Sequence, residues 1–235
     1  MMTKPDPEIT LLLGDLDSSD KRRIRAAVDA LSVRACESPE LRKKLEEELQ
    51  NQARKNRWPV AYVLASAGEP SLRTLEVLFE TLADPDSDIR WAVLLLIVRL
   101  GKNDDRVPSL LAQVVENGHP TQRRMAQYCI RDLGLATEFV IPTVLKGLDD
   151  PEPLVRVAAI IALKKRPELP EAATGRVVNL FLKDADPRVR STAAVVLADL
   201  KIDSEEFLAG LEVARRSENP QIKKAANAAL ALLRN

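Results

Sequence analysis

The sequence predicts an all-α fold: a solenoid of about seven helix pairs stacked in one register. Two observations predict it. The first is a basic residue that returns as Arg25, Arg57, Arg90, Arg123, Arg156, Arg190 and Lys223, at successive spacings of 32, 33, 33, 33, 34 and 33 residues. The second is a short polar residue six places before each of these: Ser19, Asn51, Asp84, Asn117, Asp150, Asp184 and Ser217. Such side chains cap a helix or hydrogen-bond a neighbouring turn. Two landmarks that hold register with almost no insertion mean that each unit is one supersecondary element stacked on the next. The stretch Asp84–Gly101 (DPDSDIRWAVLLLIVRLG) shows the pattern most fully. Eleven residues after the basic position, Gly68, Gly101 and Gly134 predict left-handed helix stops.

Taken in order, residues 1–6 read as a loose leader and 7–235 as a single repeat domain. The first helix runs over Pro7–Leu16, where Ile9, Leu12, Leu13 and Leu16 share a face; its partner over Asp20–Arg34 carries Ile24, Val28 and Leu31. Pro39–Ala53 is a charged helix, and its partner starts near Arg57 because Pro59 is tolerated only in a first turn. Pro70–Ala83 pairs with the stretch from Asp84, and Arg106–Glu116 pairs with His119–Leu133. Thr137–Leu148 pairs with Glu152–Lys165, Ala172–Leu182 with Asp186–Leu200, and Ser204–Arg215 with Pro220–Leu233.

Composition narrows the function classes. The formal net charge is zero, with 30% charged residues among 235, which argues against a general grip on phosphate or anionic lipid. One histidine and two cysteines leave little material for a metal site, and no cofactor is expected. His119, just before Pro120, reads as a turn residue. No Ser/His/Asp, Cys/His or paired-carboxylate constellation can be placed, and no glycine-rich phosphate loop is present, so no catalytic residue is expected. The absence of a signal-like start or a long apolar run predicts a cytoplasmic protein without a membrane segment, and a monomer is expected.

The Asp-Pro then Val-Arg wording of Asp184–Arg190 (DADPRVR) and Asp150–Arg156 (DPEPLVR) resembles the HEAT-like repeats, in short units of the phycobilin-lyase and armadillo-like type. The resemblance covers almost the whole chain and implies a right-handed α-α superhelix. It also implies a structural ladder of Asp and Arg from repeat to repeat, at Asp84/Arg90, Asp150/Arg156 and Asp184/Arg190. Units with Ser19, Asn51, Asn117 and Ser217 depart from it.

In the second helix of each unit, positions −1, +3, +6, +7 and +10 from the basic residue are mostly apolar and form the core side. Positions +1, +5, +8 and +9 face the other way, toward what the resemblance implies is a concave surface. Both tryptophans and both tyrosines of the chain fall there. The expected partner-binding residues are Trp58, Tyr62, Trp91, Leu95, Arg99, Arg124, Tyr128 and Arg131. Large aromatics backed by arginine make a binding hot spot, so the expected function is a non-enzymatic scaffold for a peptide or partner helix. The alternatives are a DNA-binding or alkylated-base glycosylase-like protein and a phycobilin-lyase-like binder of a small molecule. The glycosylase pattern wants a carboxylate one turn after a tryptophan, where this chain has Tyr62 and Leu95. The deoxyhypusine hydroxylases of the same repeat class need several His-Glu pairs, which His119 alone does not supply.

Overall fold

The structure is a computed structural model that describes residues 6–51, 53–54, 56–134, 137–164 and 169–234. Its described residues form fourteen helices, which divide between two compact units, Met1–Asn103 and Asp104–Asn235. The leader expected at residues 1–6 lies, except for Asp6, outside the described residues. Asp6 caps the first helix by accepting the Glu8 amide at 2.9 Å.

The first unit holds three pairs: α1 (Pro7–Asp15) with α2 (Lys21–Glu37), α3 (Pro39–Gln50) with α4 (Trp58–Ala67), and α5 (Leu72–Thr81) with α6 (Ser87–Leu100). Each helix packs on its partner, and α4 packs between α2 and α6. The second unit holds four pairs: α7 (Arg106–Asn117) with α8 (Pro120–Leu133), α9 (Thr137–Leu148) with α10 (Pro153–Leu163), α11 (Glu171–Lys183) with α12 (Pro187–Asp199), and α13 (Glu205–Ala214) with α14 (Pro220–Arg234). Here the helices form two layers, α7, α9, α11 and α13 in one and α8, α10, α12 and α14 in the other.

The apolar positions are the cause of this stacking. In α6, Val93, Leu96 and Ile97 are buried; in α10, Val155, Ala159, Ala162 and Leu163; in α12, Val189, Ala193, Val196 and Leu197. These are positions −1, +3, +6 and +7 of the repeat, one stripe at helical spacing, and each large side chain removed from water contributes about 1.5–3 kcal/mol. Phe181 and Phe207 meet edge to face at 5.5 Å and join α11 to α13. Gly210 makes the close approach there possible, since a Cβ on it would lie 2.4 Å from Leu182 Cδ2.

The polar residue six places before the basic one closes the turn inside five of the seven pairs. Asn51, Asp84, Asp150, Asp184 and Ser217 each accept the amide two residues on, from Ala53, Asp86, Glu152, Asp186 and Asn219. Ser18 rather than Ser19 does so in the first pair. His119 is a turn residue in the same sense: Nδ1 accepts the Thr121 amide, and the Gln122 side chain accepts the His119 amide.

The glycine stops differ from expectation. Gly134 alone of the three is left-handed, at φ 65° and ψ 27°. Gly101 stays right-handed at φ −66° because the chain continues into a further turn, its amide bonded to the Ile97 carbonyl. Gly68 leaves its helix in an extended conformation. At the equivalent place in the sixth pair it is Lys201, at φ 56°, that turns left-handed.

Candidate functional site

In the second unit, Arg156 donates from Nε and Nη2 to the two carboxylate oxygens of Asp184 at 2.7 and 2.8 Å, and from Nη1 to the Asp150 carbonyl at 2.8 Å. Arg123 makes the same bidentate pair with Asp150, at 2.6 and 2.8 Å, and caps the Gly118 carbonyl. In these two rungs the ladder therefore runs from an arginine to the aspartate of the next repeat, while Arg156 meets the aspartate of its own repeat through backbone. Asp84 and Arg90 obey the second half of this rule: Arg90 Nη1 reaches the carbonyls of Asp84 at 2.5 Å and Pro85 at 3.0 Å. Arg190 donates to the Phe181 carbonyl at 3.1 Å and meets no carboxylate among the described residues. Hydrogen bonding to Asp184 raises the pKa of Arg156 above its ordinary value, and Asp150 does the same to Arg123. Pairs of this geometry, with carboxylates almost wholly buried, hold adjacent helix pairs in register.

In the first unit the same lattice is missing a rung. Four second helices, α8, α10, α12 and α14, begin with proline at the first position, three residues before the basic one. In the second pair the proline is Pro59, two residues after Arg57, so α4 begins only at Trp58 with Arg57 as its N-cap residue. A helix begun three residues before Arg57 would place Pro59 in its interior, at a cost of about 3 kcal/mol. The Arg57 side chain consequently forms no ion pair or hydrogen bond among the described residues, its carbonyl alone accepting the Ala61 amide, and the Asp84 carboxylate forms no ion pair there either. Between them lies a cavity of 310 Å³ lined by Asn56, Arg57, Trp58, Val77, Glu80, Thr81, Ala83 and Asp84.

Two residues that the repeat pattern does not single out hold the segment ahead of α4. Arg54, buried, donates to the Leu13 carbonyl at 3.2 Å, to Glu48 at 2.8 Å and to the Asn56 carbonyl at 3.3 Å, and pairs with Asp17 at 3.0 Å. The Asn56 side chain donates from Nδ2 to the Leu16 carbonyl at 3.2 Å. Both satisfy carbonyls at the end of α1 that the helix itself leaves open. Lys21 at the start of α2 also spans the second pair, with ion pairs to Asp86 and Asp88 at the start of α6.

The expected binding residues of the first unit lie on α4 and α6, at one-turn spacings along each helix. Trp58 and Tyr62, half-buried, stand one turn apart with ring centroids 6.5 Å apart and edge to face. Trp91 is 41% exposed and Leu95, a turn further along α6, 63% exposed. Arg99, a turn beyond, is exposed and donates to the Ser66 hydroxyl of α4 at 3.4 Å. On α2, Ala26 and Val33 are exposed at the corresponding repeat positions, Val33 at 69%. In the second unit, Arg124, Tyr128 and Arg131 are half-buried on α8. Arg131 lies 5.2 Å above the Tyr128 ring and holds Asp132 through two hydrogen bonds at 2.9 and 2.6 Å. Its guanidinium is thus engaged within the chain, and Arg124 Nε is enclosed without a hydrogen-bond partner among the described residues.

The described residues contain no cluster of three His, Cys, Asp or Glu side chains placed to hold a metal, and no helix among them is long and apolar enough to cross a membrane. Cys129 is fully buried, which pushes its thiol pKa far up and makes it a packing residue rather than a nucleophile. Cys36 is exposed, its thiol donating to the Ser32 carbonyl.

The family model of HEAT repeats matches residues 141–231, from α9 to α14. No curated protein matches the sequence. Among solved structures, a designed armadillo repeat protein in complex with the peptide (KR)4 is similar at 18% identity, with 96% of this chain and 99% of that one covered and a TM-score of 0.46. Human deoxyhypusine hydroxylase in complex with glycerol is similar at 17% identity over 98% of this chain and 86% of that one, with a TM-score of 0.44. The complex of CpcE and CpcF of phycocyanin lyase from Nostoc sp. is similar at 19% identity over 98% and 97%, with a TM-score of 0.41. The match to the repeat model over residues 141–231, the recurrent helix pairs and the Arg-to-Asp rungs between them give the chain the architecture of HEAT-like repeats, to which it is similar.

Proposed function

We propose that the chain is a non-enzymatic binding scaffold, and that the face of α4 and α6 carrying Trp58, Tyr62, Trp91 and Leu95 engages a peptide segment or helix of a protein partner. The observation that supports this most is the exposure of Trp91 and Leu95 one turn apart on α6, the helix that packs on the α4 carrying Trp58 and Tyr62. A large aromatic and a leucine open to water cost solubility unless something covers them, and clusters of this composition mark interaction sites. Arg99 and its bond to Ser66 supply a polar edge to that face, as recognition surfaces commonly have. The backbone beneath is helical and packed, so the partner meets side chains already in place and the ordering cost falls on the partner. In the second unit, Arg124, Tyr128 and Arg131 form a further polar-aromatic patch in this reading.

The test is affinity capture of partners with the native chain and with a folded Trp91→Ala/Leu95→Ala variant. Loss of one partner with the variant supports the reading. Retention of every partner by a variant of native helicity overturns it.

A further inference from the structure

The geometry points to the cavity beside Asp84 as a receptor for a guanidinium group, the side chain of an arginine supplied by the partner. The inference deepens the scaffold reading and rests on it for the partner's being a protein.

Three observations carry it. First, Asp84 has the local geometry of the two aspartates that already hold a guanidinium. In Asp150 and Asp184, Oδ1 accepts the amide two residues on, at 2.9 and 2.8 Å, and both carboxylate oxygens then take an arginine from the preceding repeat. Asp84 Oδ1 accepts the Asp86 amide at 2.8 Å, so its carboxylate is held in the same way, yet it makes no ion pair among the described residues. Second, the repeat spacing identifies the missing donor as Arg57, 27 residues upstream, just as Arg123 stands 27 residues before Asp150. Pro59 moves the start of α4 past Arg57, so this arginine sits at the helix cap instead of on the helical face from which Arg123 and Arg156 reach. Third, the place of the missing rung is open: 310 Å³, with Asp84 and Glu80 among its lining residues as acceptors and Trp58 in the wall. Glu80 is also reached by Arg73 at 3.2 Å, an exposed pair, which leaves Asp84 as the principal acceptor. A planar fork that bonds both oxygens of a carboxylate and stacks on an indole is the property of arginine rather than lysine.

The test uses the full chain and the blocked amino acid acetyl-arginine amide, with the indole N–H resonance of Trp58 as the reporter, distinguished from that of Trp91 by a Trp91→Phe variant. The expected result is a saturable shift of the Trp58 resonance with half-saturation on the order of 1 mM. Acetyl-citrulline amide, the neutral isostere, gives less than about a tenth of that response, and acetyl-lysine amide binds several-fold more weakly. Asp84→Asn weakens binding by about fivefold or more, whereas Arg57→Ala leaves it equal or tighter because a like charge is removed. No saturable shift, an equal response to the citrulline or lysine compound, retained binding in a folded Asp84→Asn chain, or loss of binding in Arg57→Ala each overturns the inference. Should Asp84→Asn fail to fold, the citrulline comparison on the native chain decides alone. Failure of the aromatic face as a partner site is read separately, by the Trp91→Ala/Leu95→Ala capture, and leaves this titration unaffected.

Discussion

Arg57 and Arg156 hold the same place in the repeat, yet the side chain of the first has no partner among the described residues and that of the second bonds a buried carboxylate and a carbonyl. Removing Arg156 strands Asp184, whose side chain is only 4% exposed, in the interior. Arg156→Ala is therefore expected to destabilise the second unit by about 3–5 kcal/mol, the range for breaking one side of a buried pair. Arg57→Ala is expected to cost less than about 0.5 kcal/mol, as for surface residues without partners. Urea unfolding of both variants measures the difference, and equal losses would mean that Arg57 completes a rung after all. A second residue-scale effect concerns acid. Arg188 bonds Asp186 and pulls its carboxyl down to about 2, well under its ordinary value. The folded state then holds fewer protons at this site than the unfolded chain does, so the contribution of Asp186 is present above about pH 4 and fades as pH falls toward 2. The stability gap between the native chain and Asp186→Asn should accordingly shrink across that window, as followed by helical circular dichroism.

At the scale of the element, prolines and caps decide where helices begin, and these were legible in the sequence. The predicted and observed bounds agree within one to three residues, because Pro at the first position, the Asx-type turn and the apolar stripe mark the same places. The rungs were less legible. Each central arginine has an aspartate or asparagine six residues before it and another about 27 after, and spacing alone does not say which one receives the guanidinium. Helix ends were also harder to read than starts, since a glycine permits a left-handed stop without requiring one. Gly134 and Gly68 make this measurable. Neither has any atom within 4 Å of a would-be Cβ, so only backbone conformation separates them. Gly134→Ala at φ 65° is expected to cost about 1 kcal/mol, whereas Gly68→Ala, extended, should be neutral or stabilise by up to about 1 kcal/mol through the unfolded chain. Thermal unfolding of the two variants distinguishes them by the sign of the shift.

At the scale of the molecule, charge balance and apolar exposure bear on what kind of partner fits. Helical spacing alone puts Trp91 and Leu95 on an open face, because 100° per residue separates that face from the core stripe, and both are exposed. It gave no sign that Arg131 is taken up by Tyr128 and Asp132, or that Arg54 and Asn56 tie down the end of α1, since those bonds join residues outside the repeat register. Nor did it show the cavity, which depends on where Pro59 lets α4 start. The chain carries 35 basic and 35 acidic residues, so its net charge gives no long-range pull on a polyanion. Binding through the aromatic face should then respond weakly to salt, changing less than about threefold between about 50 and about 500 mM, because apolar burial is hardly screened. The arginine probe at Asp84 should weaken by more than that over the same range, its attraction being that of a partly open ion pair. Duplex DNA should show no saturable binding at either salt. A steep loss of affinity with salt for DNA, with a slope that counts several phosphates, would instead mean that local basic clusters outweigh the zero sum, and the scaffold reading would give way to nucleic-acid binding.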